Sequence, residues 1–324
     1  MKQHLLKILE QFNNKKILVI GDIMLDKYIW GEVSRISPEA PVQVVNVLRE
    51  SYAPGGASNV ATNAAALNGK VFMVGISGND EAKNILLEEL NKRGVNTDGI
   101  FIDKDKPTIQ KVRIVGRGQQ LLRVDYEKKE HVHQNVEYSI IKFLERIVKD
   151  IDVIVISDYA KGVITREIAN KLVQLAKEHN KNIIVDPKPK HRDLYSNVTL
   201  ITPNNAEASE MTDIEDDGDE AVLSMGYKLL KHLNTNVLIT RGEKGMSLFE
   251  KDGSITNIPA KAKEVYSIIG AGDTVAATIA LASASGANFK EAATLANIAA
   301  GIKVGKIGTA SVSIEEIKKE IKSL

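Results

Sequence analysis

The chain has no cysteine among its 324 residues. That rules out disulfides and thiolate chemistry and fits a reducing compartment. It has no excess of one charge either: 43 Lys and Arg stand against 42 Asp and Glu, so nothing favours a nucleic-acid or membrane-surface partner. No apolar run reaches membrane-spanning length. From Met1 to Asn14, Lys2, Lys7 and Glu10 interrupt Leu5, Leu6, Ile8 and Leu9, which reads as a short amphipathic helix and not as a signal peptide. There is no Gly-x-x-x-x-Gly-Lys-Ser/Thr, and no Gly-x-Gly-x-x-Gly opens a helix after the first strand. His4, His131, His133, His179, His191 and His232 lack His-Glu-x-x-His spacing. His131 and His133 sit in a charged stretch that reads as solvated, and no zinc site is expected. Linkers, repeats and low-complexity tracts are missing as well. The reading is a soluble, cytoplasmic protein of one domain, residues 1–324.

What is present is an alternation. Short β-branched runs stand at Lys16–Ile20, Val71–Val74, Val153–Ile156, Ile183–Val185, Val198–Ile201 and Val237–Ile239. Each is continuously apolar, as in strands buried on both faces. Helical segments fall between them: from Asp80 to Gly94, then Glu137–Lys149, Thr165–His179, Asp219–Leu233, Asp273–Ser285 and Lys290–Val304. This rhythm predicts an α/β fold, doubly wound around a mainly parallel sheet, with ligands at the carboxyl ends of the strands. Two segments break it, about 26–49 and about 108–126, where polar and apolar residues alternate. Period-two patterning predicts antiparallel strands with one wet face, read as a small β lid over the crevice.

Chemistry-bearing residues gather at strand ends and helix starts. Gly270-Ala271-Gly272-Asp273 joins a small-residue turn to the apolar helix after it. The first N–H groups of a helix lack internal partners and carry the positive end of its dipole, so such a turn attracts an anion. Asp273 is then either an N-terminal charge cap or a base beside a bound phosphoryl group. Gly55-Gly56 opens a helix of small residues in which Asn59 and Asn63 share a face; their amides suit sugar hydroxyls or tight packing near a cap. Asp22 follows the first strand and could accept two hydroxyls or close a turn. Asp186-Pro187-Lys188 and Asn204-Asn205-Ala206-Glu207 also follow strands, positions suited to nucleotide phosphates and Mg²⁺-bound waters.

The diglycine-Asn helix, Asn204-x-x-Glu207 and Gly270-Ala271-Gly272-Asp273, in this order, resemble the ribokinase-like (phosphofructokinase-B) sugar kinases over essentially the whole chain. Within that family, several runs are similar to the kinase half of the bifunctional heptose 7-phosphate kinase/adenylyltransferases: 21–28, 34–42, Gln119–Arg123, Ser157–Gly162 and Val304–Thr309. The His-x-Gly-His signature of their other half is not found, so only the kinase activity is expected. The resemblance implies transfer of the γ-phosphoryl of Mg²⁺-ATP to the anomeric hydroxyl of D-glycero-β-D-manno-heptose 7-phosphate. Asp273 would be the base, and the turn at Gly270, Ala271 and Gly272 the anion hole. It places Asp22, Gly55, Gly56 and Asn59 at the sugar. Lys111, Arg113 and Arg123 of the lid read either as partners of the sugar's own phosphate or as solvated strand charges. Lys188, Asn204 and Glu207 would organise phosphates and, through water, Mg²⁺. Thr240, Gly242, Gly245, Asn297 and Gly301 would frame the nucleotide. Relatives often pair through their lids, so a homodimer is a further expectation. One departure stands out: Ser267-Ile268-Ile269 replaces the Asp-Thr-Thr or Asp-Val-Thr that precedes this turn in the family. The lost carboxylate and hydroxyl speak against K⁺ activation and leave room for another sugar, or for a weakly catalytic binding protein.

Overall fold

The computed structural model describes residues 2–260, 265–306 and 310–323. In chain order the elements begin α1 (Lys2–Glu10), β1 (Lys16–Gly21), β2 (Ile23–Ile36), β3 (Gln43–Gly56), α2 (Ala57–Ala66), β4 (Lys70–Ser77), α3 (Glu81–Lys92) and β5 (Asn96–Ile102). They continue with β6 (Ile109–Gly116), β7 (Gln119–Tyr126), α4 (Gln134–Ile147), β8 (Val153–Ser157), α5 (Arg166–Glu178), β9 (Asn182–Asp186), β10 (Leu200–Ile201), α6 (Asn205–Thr212) and α7 (Asp219–Leu233). The last are β11 (Asn236–Thr240), β12 (Met246–Phe249), β13 (Ile255–Ile258), α8 (Ala271–Ala284), α9 (Phe289–Val304) and α10 (Ile314–Ser323).

A nine-stranded sheet runs β13-β12-β11-β10-β9-β8-β1-β4-β5. It is parallel from β5 to β11, and β12 and β13 add an antiparallel edge. Strand β1 explains the continuous apolar runs. Ile17 and Val19 enter the core beneath α2, α8 and α9, while Leu18 and Ile20 enter the opposite core with α4, α5 and α7. Both faces of each central strand therefore need apolar side chains. Local signals set the helix starts. Asp80 accepts from the Lys83 amide at 3.0 Å, and Asn288 with Glu291 closes a capping box on α9. No helix among the described residues is long and apolar enough to cross a membrane.

The remaining strands form a four-stranded sheet, β3-β2-β6-β7. It begins and ends differently from the alternation read in the sequence: β2 and β3 reach back to Ile23 and forward to Gly56. Its two outer pairs are antiparallel, but the central β2–β6 pair is parallel. Alternation reports one wet face and is blind to strand direction. The Val198–Ile201 strand contracts to β10, since Asn197 sits at φ 62° and Val198 and Thr199 belong to the approach turn. His133, read as solvated, is exposed but engaged: its Nδ1 lies 2.9 Å from Oδ1 of buried Asp103. Of the Val304–Thr309 run, Ile307, Gly308 and Thr309 lie outside the described residues.

Candidate active site

Helix α8 starts at Ala271 with Gly270 as its cap, at φ 77°. That left-handed backbone suits glycine, and a Cβ here would stand 2.8 Å from Nδ2 of Asn59. The Ala271 amide is spent on the Ile268 carbonyl at 3.3 Å. The amides of Gly272 and Asp273 are first-turn donors with no acceptor inside the helix. Asp273 follows as the third helical residue, 7% exposed. Its Oδ2 accepts from Asn59 Nδ2 at 2.5 Å and its Oδ1 from the Tyr159 hydroxyl at 3.0 Å. Burial pushes this carboxyl above the usual carboxylate range, while the bonds from Asn59 and Tyr159 pull it back; Asp26 raises it and Lys303 lowers it. Two side-chain donors fix the carboxylate and leave lone pairs for a third partner. Tyr159 is itself raised well above the ordinary phenol by burial and by Asp273 and Asp186, so it stays a proton donor.

Asn59 comes from α2, directly after β3 ends at Gly55-Gly56. Asn63, one turn on, donates to the Asn59 carbonyl at 2.8 Å and stiffens it. The sequence could not foresee that Asn59 holds Asp273. Nor could it separate Asp22 from Asp26. Asp22, expected at the sugar, turns inward: its carboxylate accepts from the amides of Tyr159 (2.9 Å), Lys161 (3.0 Å) and Val163 (3.1 Å) and is fully buried. Burial and the neighbouring Asp158 raise its pKa against those amides. It thus fastens the bend that presents Tyr159, where Ala160 is left-handed at φ 53° and Gly162 at φ 109°. A side chain at Gly162 would collide with the Glu130 carbonyl. Asp26 lies instead beside the diglycine: a Cβ at Gly55 would meet its Oδ2 at 2.6 Å. Arg113 Nη1 pairs with Asp26 Oδ1 at 2.6 Å.

The cations of the four-stranded sheet fare differently from one another. Lys111 stands 5.8 Å from the centre of the Tyr159 ring, and burial lowers its pKa. Arg113 is held by Asp26 and stacks over Tyr28 at 5.2 Å. Arg123 lies opposite Arg113 on the neighbouring strand, but is half exposed and bound to Asp125 through Nε at 2.8 Å.

Further along the sheet, Asn204 and Glu207 form a capping box on α6, with reciprocal bonds of 2.9 and 3.1 Å. The other Glu207 oxygen pairs with Lys188. Burial depresses Lys188, but the bond to Glu207 and the fields of Glu207, Asp186 and Asp158 leave it raised. Asp186, at the end of β9, is driven well above the usual carboxylate range by burial, Asp273 and Glu207. The bridge between Asn204 and Thr240 puts β11 next to this pair. Gly242 (φ 57°) and Gly245 (φ 86°) shape the following turn. Asn297 donates to the Pro259 carbonyl at 2.7 Å, and Gly301 lies one turn further along α9. Asp186, Lys188, Asn204, Glu207 and Thr240 form a second cluster, joined to the first where Lys188 Nζ lies 5.7 Å from the centre of the Tyr159 ring. Tyr159, Asp26 and Lys303 were not singled out in the sequence, because only the fold brings them to Asp273.

The family model described as pfkB family carbohydrate kinase matches residues 14–317. Among curated proteins, the bifunctional protein HldE of Geobacter metallireducens is 44% identical over 301 residues, covering 93% of this chain and 61% of that protein. The protein of the same name from Desulfatibacillum aliphaticivorans is 41% identical over 311 residues, covering 96% and 64%. The chain therefore spans about three-fifths of the length of these relatives. Arabidopsis thaliana ribokinase, solved with ribose and ATP, superposes with a TM-score of 0.75 at 21% identity, covering 96% of this chain and 99% of that one. Escherichia coli phosphofructokinase-2, solved with potassium, gives 0.78 at 19%, with the same coverage. At such identities the two structures speak for the fold, which is ribokinase-like.

Proposed function

Because the chain belongs to the pfkB family of carbohydrate kinases, we propose that it transfers the γ-phosphoryl of Mg²⁺-ATP to the anomeric hydroxyl of D-glycero-β-D-manno-heptose 7-phosphate. The product is heptose 1,7-bisphosphate. The carrying observation is the buried Asp273, clamped by Asn59 and Tyr159 in the first turn of α8. Its free lone pair takes the hydroxyl proton as the oxygen attacks phosphorus. The amides of Gly272 and Asp273, at the positive helix end, receive the transferring oxygens. Phosphoryl transfer needs little else beyond positioning and charge stabilisation.

Asp26 and the Gly55-Gly56 backbone face the sugar, and Lys111 with Arg113 is offered to its phosphate, where a guanidinium makes a bidentate partner. Lys188 meets nucleotide phosphates, with Thr240, Gly242, Gly245, Asn297 and Gly301 around the base and ribose. Burial and the fields of Asp273 and Glu207 raise the proton affinity of Asp186, and a carboxylate so placed beside Glu207 makes a donor set that fits a cation. They would hold a hydrated Mg²⁺, which supplies charge neutralisation at the phosphates. The substrate reading rests on the runs shared with the heptose kinases and on the HldE likeness.

Pairing of two copies through the lid is part of the same reading. On the face away from Lys111 and Arg113, Ile29, Ile114 and Leu122 make one cross-strand row, followed along β7 by Val124 and Tyr126; Leu122 is 54% exposed and Tyr126 51%. Sedimentation equilibrium should give a dimer, and a monomer at high concentration would remove that part. A coupled assay of ADP release over free and phosphorylated sugars tests the chemistry. Turnover of heptose 7-phosphate, lost in Asp273→Asn, is expected. Turnover of another sugar alone would replace the substrate, and binding without transfer would leave only a binding protein.

A further inference from the structure

Lys303 is 1% exposed, one of the largest side chains buried completely in the molecule. It lies in the last turn of α9, and its Nζ donates to the Ala310 carbonyl at 2.8 Å. Its Cε stands 3.3 Å from where a Cβ on Gly270 would be, directly behind the anion-binding turn. The same turn is tied to this end of α9, for the amides of Tyr266 and Ser267 both donate to the Val304 carbonyl, at 2.8 and 3.1 Å. The neighbouring cation, Lys306, is satisfied elsewhere by Glu316 at 2.7 Å. Taking an ammonium out of water is costly unless a charge or dipole nearby compensates. Burial lowers the Lys303 pKa; among the described residues Asp273 is an acidic group whose field acts against that, and Lys303 in turn lowers the pKa of Asp273.

We propose that Lys303 is a built-in cation of the phosphoryl-transfer site, a positioning residue that supplies from behind the turn the fixed positive charge a bound monovalent ion would otherwise provide. Ser267-Ile268-Ile269 beside the turn offers no carboxylate to hold such an ion. A covalently attached ammonium needs none and loses no translational freedom at each turnover. Its charge steadies the ionised form of Asp273 and the negative charge that gathers at the Gly272 and Asp273 amides. The idea rests on the phosphoryl-transfer reading of that turn.

The test compares the unaltered protein with Lys303→Met and Lys303→Ala, at saturating ATP and sugar, in K⁺, ammonium or tetramethylammonium chloride. The unaltered kinase should turn over at the same rate, within about twofold, in all three salts. Lys303→Met, which keeps the stem and fills the space, should lose about 10²-fold in kcat, the scale of removing one preorganised electrostatic partner. Lys303→Ala, which leaves room for an ion, should lose as much in tetramethylammonium and recover at least tenfold in ammonium or K⁺. A role in packing alone would lower the melting temperature of both variants without ion-specific recovery, and would overturn the proposal. So would strong K⁺ dependence of the unaltered enzyme, or an undiminished kcat in Lys303→Met. If the unaltered chain phosphorylates no sugar in any salt, the transfer site itself fails and takes Lys303 with it.

Discussion

Along β1 every residue from Ile17 to Gly21 is buried, whereas along β7 every residue from Gln119 to Tyr126 is exposed. The nine-stranded sheet is enclosed by helices on both faces and fixes what stands at its carboxyl ends: Asp22, Tyr159, Asp186 and, across the crevice, Asp273. The four-stranded sheet is covered mainly at its root and carries cations and aromatic rings on the face that bears Arg113. Trp30 stacks on Tyr28 with ring centres 6.0 Å apart, and Arg49 lies 4.5 Å over Trp30. Under the function proposed above, the contrast is a division of labour in which the floor performs the reaction and the cover selects what reacts.

Substitutions in the two regions should therefore fail in different ways. The largest effect belongs to the floor: Asp273→Asn should lower kcat by about 10²–10⁴-fold, the usual worth of a positioned base, with the melting temperature little changed. A lid substitution with an equal loss of kcat would break the division. Next comes stability. Leu18→Ala, in the floor, should cost about 2–5 kcal/mol in denaturant unfolding. Gln119→Ala, exposed on β7 and outside the row read as the pairing face, should stay within about 0.5 kcal/mol, as exposed positions do. Third, Lys111→Met should raise KM for the phosphorylated sugar by at least about tenfold, as loss of a charge-assisted contact does, and leave KM for ATP and kcat alone.

The smallest effect is a displaced pH profile. Burial raises the Asp273 pKa, and the base must be ionised, so kcat/KM should climb with pH along an acid limb above the usual carboxylate range. The Tyr159 hydroxyl stabilises the ionised form. Tyr159→Phe should therefore move that limb to higher pH, while Lys111→Met leaves it in place. A limb that stays put in Tyr159→Phe would mean that Tyr159 does not govern the base.

The central strands were legible because burial on both faces writes a continuous β-branched run, as at Val153–Ile156. β5 was not: at the sheet edge its Asn96, Thr97 and Asp98 face water and break the run. β12 is four residues long and no pattern marks it. The lid was visible as alternation, but its parallel centre depends on which strands meet after a long excursion. At the site, the Asp273 turn could be read because a helix start is local chemistry. Asp22 and Asp26 could not be told apart, since the answer lies in which of them meets the amides of Tyr159, Lys161 and Val163, far along the chain. Lys303 looked like one more cation at a helix end. Its burial behind Gly270 comes from the contact between α8 and α9.

Strand β2 leaves the crevice at Asp26 and runs to the tip of the cover at Ile36; β3 returns from Gln43 to the diglycine, and α2 follows at once with Asn59. In the proposed reading, the cover and the sugar-facing residues are thus one continuous ribbon. A graft of this hairpin from a kinase with another substrate would import that enzyme's taste in sugars along with its shutter. On that reading, tuning the cover and tuning what the site accepts would be the same evolutionary step.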